Sequence, residues 1–177
     1  MIKFIRLEEK HLKLVMTWRA NPEVAKYLFT NINQNIDEQY RWFNKINIDD
    51  TYRCWIIDYN GIPIGFLNLA AIDRVNLRCN AGYYIGELEY RSLGALILPY
   101  LYNYVFKVMC FKKIYGEVIA ENSTILKIHE IHGYRQVGIH KEHVLKDGIF
   151  HDTILIELLA ESWLRQKRYQ QYVALFD

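Results

Sequence analysis

The chain has 177 residues, 51% of them hydrophobic and 15% aromatic, which is enough to close the core of one domain and excludes global disorder. Its formal charge of +2 is spread along the sequence, which argues against a nucleic-acid partner, and its longest apolar run, around Ala95–Val105, is broken by Pro99 and Asn103 and too short to cross a membrane. Cys54, Cys79 and Cys110 are scattered without a CxxC and read as buried or half-buried thiols, while the charged start of the chain lacks a signal peptide's apolar stretch, so a cytoplasmic protein is expected.

Residues 2–7 alternate as a short strand. Residues 8–20 carry Leu12, Val15, Met16 and Trp18 at helical spacing and stop at Asn21-Pro22, because proline disfavours helix in the residue before it. A second helix, capped by Asp37, runs to about Asn47 with Tyr40, Phe43 and Ile46 on one face. Strands follow at Arg53–Tyr59 and Ile62–Leu69 around the hairpin turn Asn60-Gly61, and again at Arg78–Ile85. A helix over about Gly94–Val108 should be kinked by Pro99. Next come a strand at Lys113–Ile119 and a helix at about Ser123–Ile131 that ends on Gly133. Strands Gln136–Leu145 and Ile149–Leu158 flank the turn Lys146-Asp147-Gly148, and a last helix starts near Glu161, with Arg165, Lys167 and Arg168 on its solvated face. No linker or repeat divides the chain, so residues 1–177 are expected to form one domain of the α/β class, a mixed sheet with helices on both faces. The last segment is left to pack on its own domain or on a second copy in a homodimer.

The chemistry concentrates where a strand feeds a loop into a helix. The first amides of such a helix are unpaired and suit an anion, yet neither GxGxxG nor GxxxxGK[ST] occurs, so dinucleotide and nucleoside-triphosphate loops are not supported. Asn122 caps the helix that follows the next strand, with Ile125 and Ile128 toward the core. The spacings His129/His132 and His140/His143 are both HxxH, but further ligands are not evident in the sequence, and no metal is expected.

The order of elements, the stretch Glu89-Tyr90-Arg91-Ser92-Leu93-Gly94 and the stretch Glu121–Tyr134 together resemble the GNAT acetyltransferases. The first is similar to that family's [Q/R]xxGx[G/A] pyrophosphate motif, with Ser92 and Glu89 departing from it; the second is similar to ENxxAIxLYEKxGF. The resemblance implies an α+β GNAT fold, with a mostly antiparallel twisted sheet of about seven strands, and acetyl-CoA as co-substrate. Acetyl-CoA would be held by Arg91, Ser92, Leu93, Gly94, Ala95 and Asn122, with Tyr84, Ile85 and Gly86 offering a backbone amide to the acetyl carbonyl. His129 stands where relatives carry a tyrosine that protonates the CoA thiolate; it is read as a general acid or as a hydrogen-bond donor to the sulfur. Glu117 is the candidate acceptor of the amine proton, directly or through water.

The opening Trp18-Arg19-Ala20-Asn21-Pro22-Glu23-Val24, with Tyr27-Leu28-Phe29 and the stretch Gln39–Phe43, resembles two GNAT groups, the Rim-type N-terminal acetyltransferases and the amino-sugar acetyltransferases of the pseudaminic acid pathway. The hairpin at 138–148 is more similar to the second, which implies a small-molecule acceptor, a nucleotide-linked amino sugar, met by Trp18, Arg19, Asn21, Arg41 and Trp42. A lysine acceptor, with a pKa near 10.4, costs roughly 4–5 kcal/mol to deprotonate at neutral pH, whereas a sugar amine near 8 asks far less of a base. The alternatives are a Rim-type enzyme with an open peptide groove and a catalytically idle CoA-binding module.

Overall fold

A computed structural model describes residues 1–177. Seven strands form one sheet in the order β1-β2-β3-β4-β5-β7-β6, with β1 Ile2–Arg6, β2 Arg53–Tyr59, β3 Ile62–Asp73, β4 Arg78–Ile85, β5 Lys113–Ile119, β6 Arg135–Lys146 and β7 Ile149–Leu159. All neighbours are antiparallel except β4 and β5, which run parallel. The expected sheet, mixed and mostly antiparallel with helices on both faces, is the one observed.

Alternation along β2 sorts the two cores. Cys54 and Ile56 join Phe66 beneath α1 (Leu12–Ala20) and α3 (Ile36–Asn47), whereas Trp55 and Ile57 point to the larger core shared with α4 (Gly94–Asn103). Helix α3 is capped by Asn35, which accepts from the Asp37 amide, two residues earlier than the expected cap Asp37, and Tyr40 faces outward while Ile36, Trp42, Phe43 and Ile46 pack inward. The short α2 (Pro22–Ala25) is capped in the same way by Asn21. Both hairpin turns hold paired left-handed residues, Asn60-Gly61 and Asp147-Gly148, as the Asn-Gly and Asp-Gly preference requires. The buried Asp58 accepts from the Gly61 amide at 2.9 Å and ties the first of them.

Helix α4 carries the buried Pro99 through its interior and then widens over Tyr104–Val108, where the Met109 amide reaches back five residues to the Tyr104 carbonyl. Helix α5 is Ser123–Ile131, as expected, with Ile125 and Ile128 against the large core. The end of the chain departs from expectation. Helix α6 spans only Ala160–Leu164, and the chain then turns back across its own domain, so Lys167 and Arg168 fall in a separate 3-10 turn, Lys167–Tyr169, and not on the face of α6. Trp163 is fully buried and donates to Asn103 Oδ1, while Asn103 Nδ2 donates to the carbonyls of Tyr169 and Tyr172. Phe176 stacks on Phe4 and Tyr104, and Trp55 Nε1 donates to the Asp177 carbonyl. Cys54 and Cys79 are buried thiols, but Cys110 is exposed, at a left-handed turn after α4. No helix is long and apolar enough to cross a membrane.

Candidate active site

Strands β4 and β5 pair only from Arg78/Lys113 to Asn80/Tyr115, whereas β4 stays paired with β3 up to Ile85. Beyond Asn80 the two strands splay, and alternate backbone groups of residues 81–85 face the gap. A cavity of about 400 Å³ fills that gap. Its walls come from Asn80–Tyr84 of β4, Tyr115–Val118 of β5, Leu98, Leu101 and Tyr102 of α4, and Asn122, Ile125 and His129 of α5. The remaining side is closed by Arg19 of α1, Trp42 of α3, Tyr52 and residues 27–30.

The segment 27–30 is a strap held from the far hairpin. Lys146 is buried and donates from Nζ to the carbonyls of Ala25 and Leu28 and to Asn31 Oδ1, at 2.9, 2.9 and 2.7 Å, while Asn31 donates to Asp147. Three oxygens around one ammonium offset the burial of a charge that has no carboxylate partner. The β6–β7 hairpin thereby positions a wall of the cavity that is distant from it in sequence.

His129 lines the cavity, with its Nδ1 3.3 Å from the Tyr102 hydroxyl and its ring against Tyr134. Desolvation, and then the neighbouring His132, pull its pKa down to about 4, so the imidazole is neutral at physiological pH. A standing imidazolium acid, one of the two expected roles, therefore does not fit this environment; donation by a neutral N–H does. The direction of that contact follows the tautomer: where Nδ1 accepts from the Tyr102 hydroxyl, the imidazole proton sits on Nε2. Glu117 is half-buried on β5 and also lines the cavity, its Oε2 accepting from the Thr153 hydroxyl at 3.1 Å. Asn122 caps α5 as expected and faces the same space.

The expected pyrophosphate segment is coiled more tightly than an open loop. Residues Leu88–Leu93 form a 3-10 turn that runs directly into α4, and the Gly94 amide donates to the Arg91 carbonyl. Ser92, where the family pattern has glycine, suits this right-handed coil. Arg91 is engaged by Glu23, through its carboxylate and its carbonyl, the latter at 2.7 Å. The Gly86 amide donates to the Ile64 carbonyl at 2.8 Å, so it is not the amide that meets an acetyl group, and a Cβ at Gly86 would overlap the Trp18 ring at 2.2 Å. Ile85 is buried in the large core; Tyr84 lines the cavity. Ser92, Leu93 and Ala95 lie outside the cavity lining, at the coil and the start of α4.

Of the five residues expected to meet the acceptor, Arg19 and Trp42 do line the cavity. Trp18 is instead buried, edge-on to Tyr84, and donates to Glu87 Oε1 at 2.8 Å; it is a core tryptophan. Asn21 is occupied as the cap of α2, and Arg41 is exposed on the outer side of α3. Arg19 donates to the hydroxyl and carbonyl of Thr30, but its Nε is buried without a partner, as is the Tyr84 hydroxyl. Tyr27 and Phe29, from the aromatic acceptor stretch, are in the cavity wall, and sequence reasoning missed Tyr52, Phe66, Asn68 and Tyr115 beside them. Burial pushes the Tyr52 hydroxyl up to about 12, and it accepts from Asn68. The only signal of the aromatic ones in the sequence was aromatic enrichment, which core residues share, and Asn68 had none.

The model of the acetyltransferase (GNAT) domain matches residues 2–135. Acetyltransferase PseH of Campylobacter jejuni is 20% identical over 128 residues, covering 72% of this chain and 78% of the relative. The spermidine N(1)-acetyltransferase of Vibrio cholerae is 22% identical over 162 residues, 90% of this chain and 94% of the relative. The crystal structure of spermidine N-acetyltransferase from V. cholerae in complex with CoA and spermine superposes with a TM-score of 0.85 at 22% identity, over 92% of this chain and 98% of that one.

Proposed function

The chain belongs to the GNAT family of acetyl-CoA-dependent N-acetyltransferases, and from that premise we propose that its acceptor is the amine of a nucleotide-linked amino sugar. The observation that carries this reading is the lining of the cavity. It is predominantly aromatic and aliphatic, and its only lysine, arginine or carboxylate side chains are Arg19 and Glu117. A polyamine, with several ammonium groups, would meet one carboxylate and a guanidinium that repels it. A sugar nucleotide instead offers flat faces to Trp42, Tyr52 and Phe66, and oxygens to the unpartnered Arg19 Nε and Tyr84 hydroxyl.

Acetyl-CoA enters the splay between β4 and β5, its carbonyl oxygen meeting an amide of β4 that β5 has left unpaired. The acceptor nitrogen attacks the thioester carbon in a ternary complex. Glu117 accepts the proton that the amine loses, and Thr153 holds the receiving carboxylate in place. The C–S bond breaks as the amide forms, and His129 donates a hydrogen bond from Nε2 to the departing thiolate.

The test is a calorimetric titration with acetyl-CoA, then mass-spectrometric detection of acetylated product from UDP-amino sugars, spermidine and N-terminal peptides. Acetylation of an amino sugar in preference to the other two is expected. Preferred acetylation of spermidine would overturn the acceptor assignment, and preference for peptides would move the enzyme to the Rim type.

A further inference from the structure

Residues three apart on a regular strand project from opposite faces of the sheet. His140 and His143 do not. Strand β6 loses register with β7 between His140 and Val144, and Glu142 adopts the left-handed conformation with φ 49°. Two extra residues on β6 rotate the chain, and the two imidazoles come side by side with ring centroids 4.4 Å apart. Asp152 of β7 holds the bulge, accepting from the Glu142 amide at 2.9 Å and from Lys141 Nζ at 2.7 Å. A non-glycine residue in the left-handed region is strained by roughly 1–2 kcal/mol, and the bond from its own amide to Asp152 holds Glu142 there.

The bulge turns both rings toward Glu117, two strands away. Glu117 Oε2 lies 3.9 Å from His140 Nδ1 and 3.5 Å from His143 Nε2, and the three ligand atoms all fall within 4.8 Å of one another. A tetrahedral ion bound at about 2.0–2.2 Å needs its ligands roughly 3.3–3.6 Å apart, so the two Glu–His separations need little adjustment. The fully buried Thr153, on the intervening strand, donates to the same carboxylate oxygen at 3.1 Å and orients it as an outer partner orients a metal ligand. Two imidazoles and one carboxylate suit a zinc-class cation and leave a fourth position for water.

We propose that Glu117, His140 and His143 form a three-ligand site for a zinc-class divalent cation at the rim of the cavity, and that its occupancy switches acetyl transfer off. The switch rests on the reading of Glu117 as proton acceptor; the binding site does not. A carboxylate committed to the cation no longer takes the amine proton, and the cation's charge repels a protonated acceptor at the rim. Removal of the ion restores both.

Zinc alone is the probe. Chelator-stripped full-length protein is titrated calorimetrically with Zn²⁺, alongside His140→Ala, His143→Ala and Thr153→Val, with circular dichroism confirming that each variant is folded. One ion per chain in the micromolar range is expected. Each histidine variant should lose more than the roughly 10–100-fold in affinity that removal of an outer partner costs, and Thr153→Val should lose about that amount. No binding, or equal affinity in the double histidine variant, overturns the site. In the second arm, acetylated sugar is counted by mass spectrometry with and without Zn²⁺. Loss of turnover that a chelator reverses, and that the histidine variants escape, supports the switch. Full turnover with zinc bound overturns the switch and leaves the site standing. Slow acetylation by the histidine variants in zinc-free buffer, without zinc binding to the wild type, would show the cluster to be a proton relay and overturn the metal site.

Discussion

His129 and His132 are the residues whose ionisation the fold alters most among the histidines, both drawn down to about 4, first by desolvation. Below the ordinary histidine value of about 6.5 the unfolded chain takes up protons that the folded chain refuses, so stability falls as pH drops from about 6.5 toward 4 and is flat above that window. Melting temperatures recorded from pH 4 to 8 should show this slope, and His132→Phe should flatten it; an unchanged slope would place the acid sensitivity elsewhere. The same depression bears on catalysis. If His129 works as a neutral donor, kcat should show no loss between pH 6 and 8 attributable to imidazolium titration, and His129→Phe should lower kcat with little change in acetyl-CoA affinity. Arg19 is proposed to meet the other substrate. Replacing it with Met removes a charged donor to the acceptor, which corresponds to about 1.5–3 kcal/mol and a KM raised roughly 10–100-fold, with kcat less affected. Steady-state kinetics with the amino-sugar acceptor separates the two effects.

At the scale of elements, the strap 27–30 and the tight turn before α4 are the parts most open to test. Lys146→Met removes the buried donor that ties Ala25, Leu28 and Asn31 to the hairpin and should cost about 1–2 kcal/mol, seen as a lowered denaturation midpoint. It should also raise the acceptor KM, because Tyr27, Leu28, Phe29 and Thr30 lose their anchor. Gly94 opens α4 facing the Tyr83 hydroxyl, which a Cβ would approach to 3.3 Å. Gly94→Asp adds bulk and a negative charge where the acetyl-CoA pyrophosphate is proposed to bind, and calorimetry should show weakened acetyl-CoA binding. Retained affinity would move the pyrophosphate site away from this turn. The element boundaries were legible locally. The Asn60-Gly61 and Asp147-Gly148 turns, the Asn122 cap and Gly133 are each set by the conformational preference of a single residue. The short α6 was not, because Trp163, Asn103 and Phe176 draw the chain back over the sheet through contacts some 60 or more residues apart in sequence.

For the whole molecule, we propose that residues 1–177 unfold as one unit. The last residues bridge β1, β2 and α4 through Phe176 and the Asp177 carbonyl. Deletion of residues 171–177 should therefore lower the single melting transition without creating a second one, and two transitions on calorimetry would contradict the assignment.

The sequence by itself determined the order and type of the elements, the class of sheet and the family, because periodicity, capping and turn chemistry are short-range and survive in any context. It also named His129, Glu117, Asn122, Arg19 and Trp42, which the fold brings to one cavity. Only the tertiary structure decided that Trp18 is core, that Arg41 is solvated and that His129 is neutral. It also decided that an HxxH spacing on a bulged strand converges on Glu117. Each of these depends on which groups from distant segments surround a side chain and on how much water they exclude, and neither quantity is encoded in the spacing of neighbours along the chain.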